Sequence, residues 1–228
     1  MGSVEKFSRK DVLNMHFKTK KLLVLLLAAA LILPVFSSTP AAASEDDSSY
    51  KEAYYKLIKE LRKGNEVSEK GFDRFKLIYL DNDDIPELLA VDVPADSFEN
   101  NNIYIYSLYT FYNGEAVKLG DFQSGVASAG GYRGNTFYIK KSGKILETST
   151  AAASGDGDDI IYSMQDGELS EIASGKFNIA DENAEWNGKS MTYDQYDKKL
   201  NKVFKTKKAK SFEEIKTVSY KSMKKKLK

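Results

Sequence analysis

Apolar positions change period twice along the chain, and each change marks a change of element. Tyr50, Ala53, Tyr54, Leu57, Ile58 and Leu61 recur three and four residues apart, the spacing of one buried helix face. Ser49 with Glu52 forms a capping-box pattern and Gly64 supplies a stop, so a helix from Tyr50 to Lys63 is expected.

From Phe75 the period falls to two. Phe75 to Leu80 and Glu87 to Asp92 flank the acidic turn Asp81-Asn82-Asp83-Asp84; Ile103 to Tyr112 runs through Asn113-Gly114 into Ala116 to Phe122. After the small-residue stretch Gly125 to Gly134, read as a loop, the pattern resumes. Thr136 to Lys140 and Lys144 to Thr150 are joined by Ser142-Gly143, and Asp159 to Met164 and Glu168 to Ala173 by Asp166-Gly167. Such short Gly-containing connections predict antiparallel hairpins. Ile103 to Tyr112 is apolar or aromatic on both faces, as expected of a strand covered on both sides.

The two groups of strands echo one another. Ile105-Tyr106-Ser107-Leu108, Asn113-Gly114-Glu115 and Gly120-Asp121-Phe122 match Ile161-Tyr162-Ser163-Met164, Asp166-Gly167-Glu168 and Gly175-Lys176-Phe177, the mark of an internal repeat. The helical period then returns. Thr192 with Gln195 caps a helix carrying Tyr196, Leu200, Val203 and Phe204, and Ser211 with Glu214 is expected to cap another carrying Phe212, Ile215, Met223 and Leu227. Thr217-Val218-Ser219-Tyr220 interrupts that second pattern with β-prone residues. The fold class expected is α+β: an N-terminal helix, an antiparallel β-meander of about eight strands in two related four-stranded sets, and C-terminal helical segments.

Ahead of all this, Lys18, Lys20 and Lys21 precede the apolar run Leu22 to Leu33, followed by Pro34 and Ala41-Ala42-Ala43. That order is the basic, apolar and small-residue sequence of a secretory signal peptide, and the run is shorter than the roughly 20 residues a spanning helix needs. Residues 1–43 are therefore expected to be a signal peptide, with Met15 as an alternative start, leaving residues 44–196 as the helix and meander domain and 197–228 as a basic helical segment on it. The expected location is outside the cell or at the cell wall, with no transmembrane segment after cleavage.

Composition then narrows the chemistry. The chain has no cysteine and one histidine, His16, which leaves with the leader. The mature part thus has no His-dependent triad, Cys nucleophile or ordinary zinc site. Charge is divided: Asp197 to Lys228 holds thirteen lysines against three acidic residues, while residues 44–196 hold fifteen basic against twenty-eight acidic. An acidic body with a basic tail makes an anionic cell-wall polymer the expected partner, rather than nucleic acid.

Asp81, Asp83, Glu87 and Asp92 fall at positions 1, 3, 7 and 12 of a calcium loop, but Ile85 and Pro86 stand where an EF-hand has an oxygen ligand and a glycine. An acidic hairpin turn is the simpler reading, with calcium the only cofactor these residues suggest. The segment from Phe75 to Leu89, Phe-Lys-Leu-Ile-Tyr-Leu-Asp-Asn-Asp-Asp-Ile-Pro-Glu-Leu-Leu, resembles one found in uncharacterised secreted proteins and lipoproteins of clostridial Firmicutes, and is distantly similar to the Asp-rich turn of FG-GAP/VCBS-type β repeats. The FG-GAP likeness implies calcium, although Pro86 and Glu87 replace that motif's Asp-Gly pair and later Asp.

Tyr104, Tyr106 and Tyr112 share one strand face, suited to stacking on a sugar ring or to packing, and Arg133 is a candidate for meeting an anionic ligand beside the glycine-rich stretch. No catalytic residue emerges. The function expected is a secreted, non-catalytic binding or accessory protein, with a carboxylate-dependent hydrolase and an inhibitor of an extracellular enzyme as alternatives.

Overall fold

The computed structural model describes residues 47–64, 71–92, 102–127 and 131–228; the expected leader lies outside them. Helix α1 spans Asp47–Leu61, starting before Ser49. Ser49 therefore lies inside the helix and not at the expected cap position, and Glu52 pairs with Lys56 at 2.7 Å. Gly64, at φ 93°, ends the segment as expected. Tyr54 and Ile58 are wholly buried, each contributing roughly 1.5–3 kcal/mol through burial.

The described strands form one twelve-stranded sheet. Ten follow in chain order: β1 Arg74–Ile78, β2 Glu87–Asp92, β3 Asn102–Tyr112, β4 Glu115–Val126, β5 Tyr132–Ile139, β6 Lys144–Ala151, β7 Asp156–Gln165, β8 Glu168–Asn178, β9 Asn183–Trp186 and β10 Lys189–Thr192. Each pairs antiparallel with the next, making a meander larger than the eight strands expected. The added β9–β10 hairpin turns on Asn187-Gly188, both at positive φ. Its strands are short, and only Ala184 and Trp186 are buried, which is why periodicity alone missed them. The stretch read as a loop is also partly sheet, with Gly125 paired to Gly134 and Val126 to Arg133.

The β3–β4 and β7–β8 hairpins are built alike. Both turn on residues at positive φ, Asn113-Gly114 and Asp166-Gly167, and both shift register at the same distance from the turn, at Leu108/Tyr109 and Ile161/Tyr162. Leu108 thus corresponds to Ile161, so the strand motif that suggested the repeat is out of step with the structural match.

Beyond β10, Thr192 caps helix α2, Tyr193–Phe204, in a complete capping box with Gln195. The expected helix capped by Ser211 does not form. After a 3₁₀ turn at Thr206–Lys208, β11 (Lys210–Ser211) pairs with β5, β12 (Val218–Ser219) pairs with β1, and only Tyr220–Lys226 is helical, as α3. Tertiary structure overrides local pattern here because β4 and β5 pair at only two positions, leaving a gap that Phe212 fills. Its ring lies 5.5 Å from Tyr106, 5.9 Å from Phe122 and 5.8 Å from Tyr138, centroid to centroid.

Three cores result. Tyr54, Ile58, Phe75 and Tyr109 pack with Met223 and Leu227; Leu80, Leu89, Leu108, Phe122 and Ile145 surround Phe212; and Leu146, Ile161 and Trp186 pack with Tyr196 and Phe204. The middle core joins side chains of β1 to β6 with Phe212 of the C-terminal segment, and both faces of β3 are buried from Tyr106 to Phe111.

Candidate functional site: an acidic turn, a tyrosine cleft and a lysine-rich strap

Asp81, Asp83 and Glu87 come together with one oxygen of each within 4.8 Å of the others. The turn is made by its own side chains: Asp81 Oδ1 accepts the Asp83 amide at 3.1 Å, and Asp83 Oδ1 accepts that of Ile85 at 2.9 Å. Glu87 is 1% exposed and accepts the Leu80 amide at 2.6 Å, closing the turn across its base. The β5–β6 turn docks alongside, with Ser142 donating its amide to Leu80 O at 2.7 Å and Lys141 pairing with Asp84 at 3.1 Å.

Burial pushes the Glu87 carboxyl up to about 8; the Leu80 amide opposes the rise, while the Asp81 and Asp83 charges add to it. Asp83 is pushed up to about 6, again chiefly by burial, with Asp81 contributing. Asp92 ends β2, five residues beyond Glu87 and outside the carboxylate group. Three carboxylates that also hold the turn together are few for calcium, which takes about six to eight oxygens. The same sequestration bears on hydrolysis, because a glutamate this buried is closed to water and substrate.

The tyrosine face divides. Tyr112 lies at the far end of β3 with its ring against Gly167. Tyr104 and Tyr106 instead line a cleft of about 620 Å³ between the sheet and the Phe212–Thr217 segment. Arg74, Val91 and Tyr106 are direct cross-strand partners in one row, and therefore point to the same side of the sheet. Glu213, Ile215, Lys216 and Thr217 close the cleft from the opposite wall. Arg133 is exposed and paired with the lining residue Val126, one strand beyond the lining. Sequence reasoning missed Arg74, Glu213 and Lys216, because nothing local announces that residues so distant in the chain will face one another.

The C-terminal segment is a strap across the molecule. Phe204, Phe212, Met223 and Leu227 are buried in the three cores, while twelve of the thirteen lysines are exposed and Lys224 is half-buried. None of the thirteen forms an ion pair with another described residue. Eleven fall in two groups, six on α2 and the turn after it and five on or just beyond α3, while Lys210 lies on β11 and Lys216 lines the cleft.

No protein-family model, curated protein or solved structure matches this chain. No described helix is long and apolar enough to cross a membrane.

Proposed function

We propose that the protein is exported and works outside the cytoplasmic membrane as a non-catalytic binding protein, held to an anionic cell-wall polymer by its lysine-rich strap. The observation that carries this reading is the division of labour within the strap: its apolar side chains anchor it in the cores, and its lysines project without acidic partners. Two fixed groups of like charge suit a long polyanion, which meets both at once and gains from multivalency. A hydrolase is the weaker reading, since Glu87 and Asp159, the most buried carboxylates described, are engaged by the Leu80 amide and the Tyr196 hydroxyl.

The test is sedimentation of the full chain with purified, protein-free cell walls. Binding should fall steeply between low and physiological salt, as screening shortens to about 8–10 Å. Replacing Lys198, Lys199, Lys202, Lys221, Lys225 and Lys226 with Gln should abolish it while leaving thermal stability nearly unchanged. Equal sedimentation of both proteins overturns the proposal.

A further inference from the structure

The cleft is a second site, distinct from the lysine surface, and its lining is unusual in combining three chemistries within one space. Tyr104 supplies a half-buried aromatic ring, while Tyr106 and Val91, buried beside it, form the apolar base of the cleft. Arg74 and Lys216 bring positive charge from opposite walls, and neither forms an ion pair with another described residue. Glu213, exposed on the strap, contributes a carboxylate, and Thr217 a hydroxyl.

We infer that this cleft binds an anionic sugar, a pyranose bearing a carboxylate or a phosphate group. A pyranose presents an apolar C–H face, which packs on an aromatic ring. Its hydroxyls need acceptors and donors, which Glu213 and Thr217 provide. Among the described lining residues two cations stand against one carboxylate, favouring a ligand with a negative substituent, and the planar fork of arginine matches either a carboxylate or a phosphate. The volume lies within the roughly 300–1,000 Å³ of small-molecule sites, enough for one or two sugar rings and too little for a folded partner.

The cleft exists only because the strap crosses the sheet, since one wall is the segment Phe212–Thr217. A ligand bridging Arg74 and Lys216 therefore ties strap to sheet, and its binding should slow local opening of the strap. This gives a readout of where the ligand sits, independent of affinity.

The experiment is calorimetry and amide hydrogen exchange on the full chain with four probes: glucuronate, glucose 6-phosphate, glucose and inorganic phosphate. The expected result is that glucuronate or glucose 6-phosphate binds at least tenfold more tightly than glucose or phosphate, and slows exchange over residues 210–217. The better of the two anions identifies the carboxylate or phosphate source. Arg74→Gln should weaken the anionic sugar at least tenfold and Tyr104→Leu should weaken both sugars, while Lys189→Gln, an exposed cation on β10, should leave binding unchanged. Thermal melts of each variant separate loss of fold from loss of binding. Equal binding of glucose and the anionic sugars, phosphate binding as well as glucose 6-phosphate, unimpaired binding in Arg74→Gln, or no binding by any probe overturns the inference. Wall sedimentation of Arg74→Gln should match that of the unaltered chain, so the lysine reading stands or falls separately.

Discussion

The ring of Tyr112, at the end of β3, rests on the turn glycine Gly167 of the other hairpin: a Cβ at Gly167 would stand 2.6 Å from Tyr112 Cγ. Gly167 also sits at φ 76°, whereas Gly114, its counterpart in the first hairpin, sits at φ 86° with open space around it. Gly114→Ala should cost about 1 kcal/mol, for the left-handed backbone alone. Gly167→Ala adds overpacking against the ring and should cost about 2–4 kcal/mol. Urea denaturation of the two variants measures the difference, and equal losses would mean that the hairpin tips do not touch.

Glu87 makes stability depend on pH in a direction opposite to that of a salt-bridged acid. Its folded-state value, raised to about 8 from an ordinary 4.5, means that the native state holds a proton the unfolded chain has lost across that interval. Stability should therefore fall as pH rises from about 4.5 to 8. Asp83, raised to about 6, adds to the fall at the lower end. In Glu87→Gln, which keeps an acceptor for the Leu80 amide, the decline should flatten. Thermal melts across pH 4 to 9 check this, and an unchanged slope in the variant would assign the dependence elsewhere.

Calcium should bind the acidic turn weakly, in the millimolar range characteristic of low-charge sites. At neutral pH the buried Glu87 is largely protonated and Asp81 and Asp83 already accept backbone amides, so an ion must displace a proton and disturb the turn. Calorimetry with calcium at pH 7, with Asp83→Asn as the control, tests this. Submicromolar affinity lost in the variant would make the turn a metal centre.

The strap belongs to the core. Phe212 is 1% exposed and packed among three rings, so Phe212→Ala should cost about 3–5 kcal/mol. Ending the chain after Phe204 would also remove Met223 and Leu227, which seal the core under α1, and should abolish cooperative unfolding. A truncated chain that melts as the whole one does would place the strap outside the fold.

Features governed by neighbouring residues were legible in the sequence. The α1 face, the hairpin turns at Asn113-Gly114 and Asp166-Gly167, the α2 capping box of Thr192 and Gln195, and the two-sided burial of β3 follow from periodicity and turn chemistry, which act within a few residues. So does the clustering of Asp81, Asp83 and Glu87 around one turn. Tertiary structure alone decided the strand identity of Ser211, the placing of Phe212 in the gap between β4 and β5, and the meeting of Arg74 with Lys216 across a cleft. Local preference around Ser211 favours a helix only weakly. Burying Phe212 among three aromatic rings while β11 pairs with β5 outweighs it, and those rings come from β3, β4 and β5, far from Phe212 in the chain.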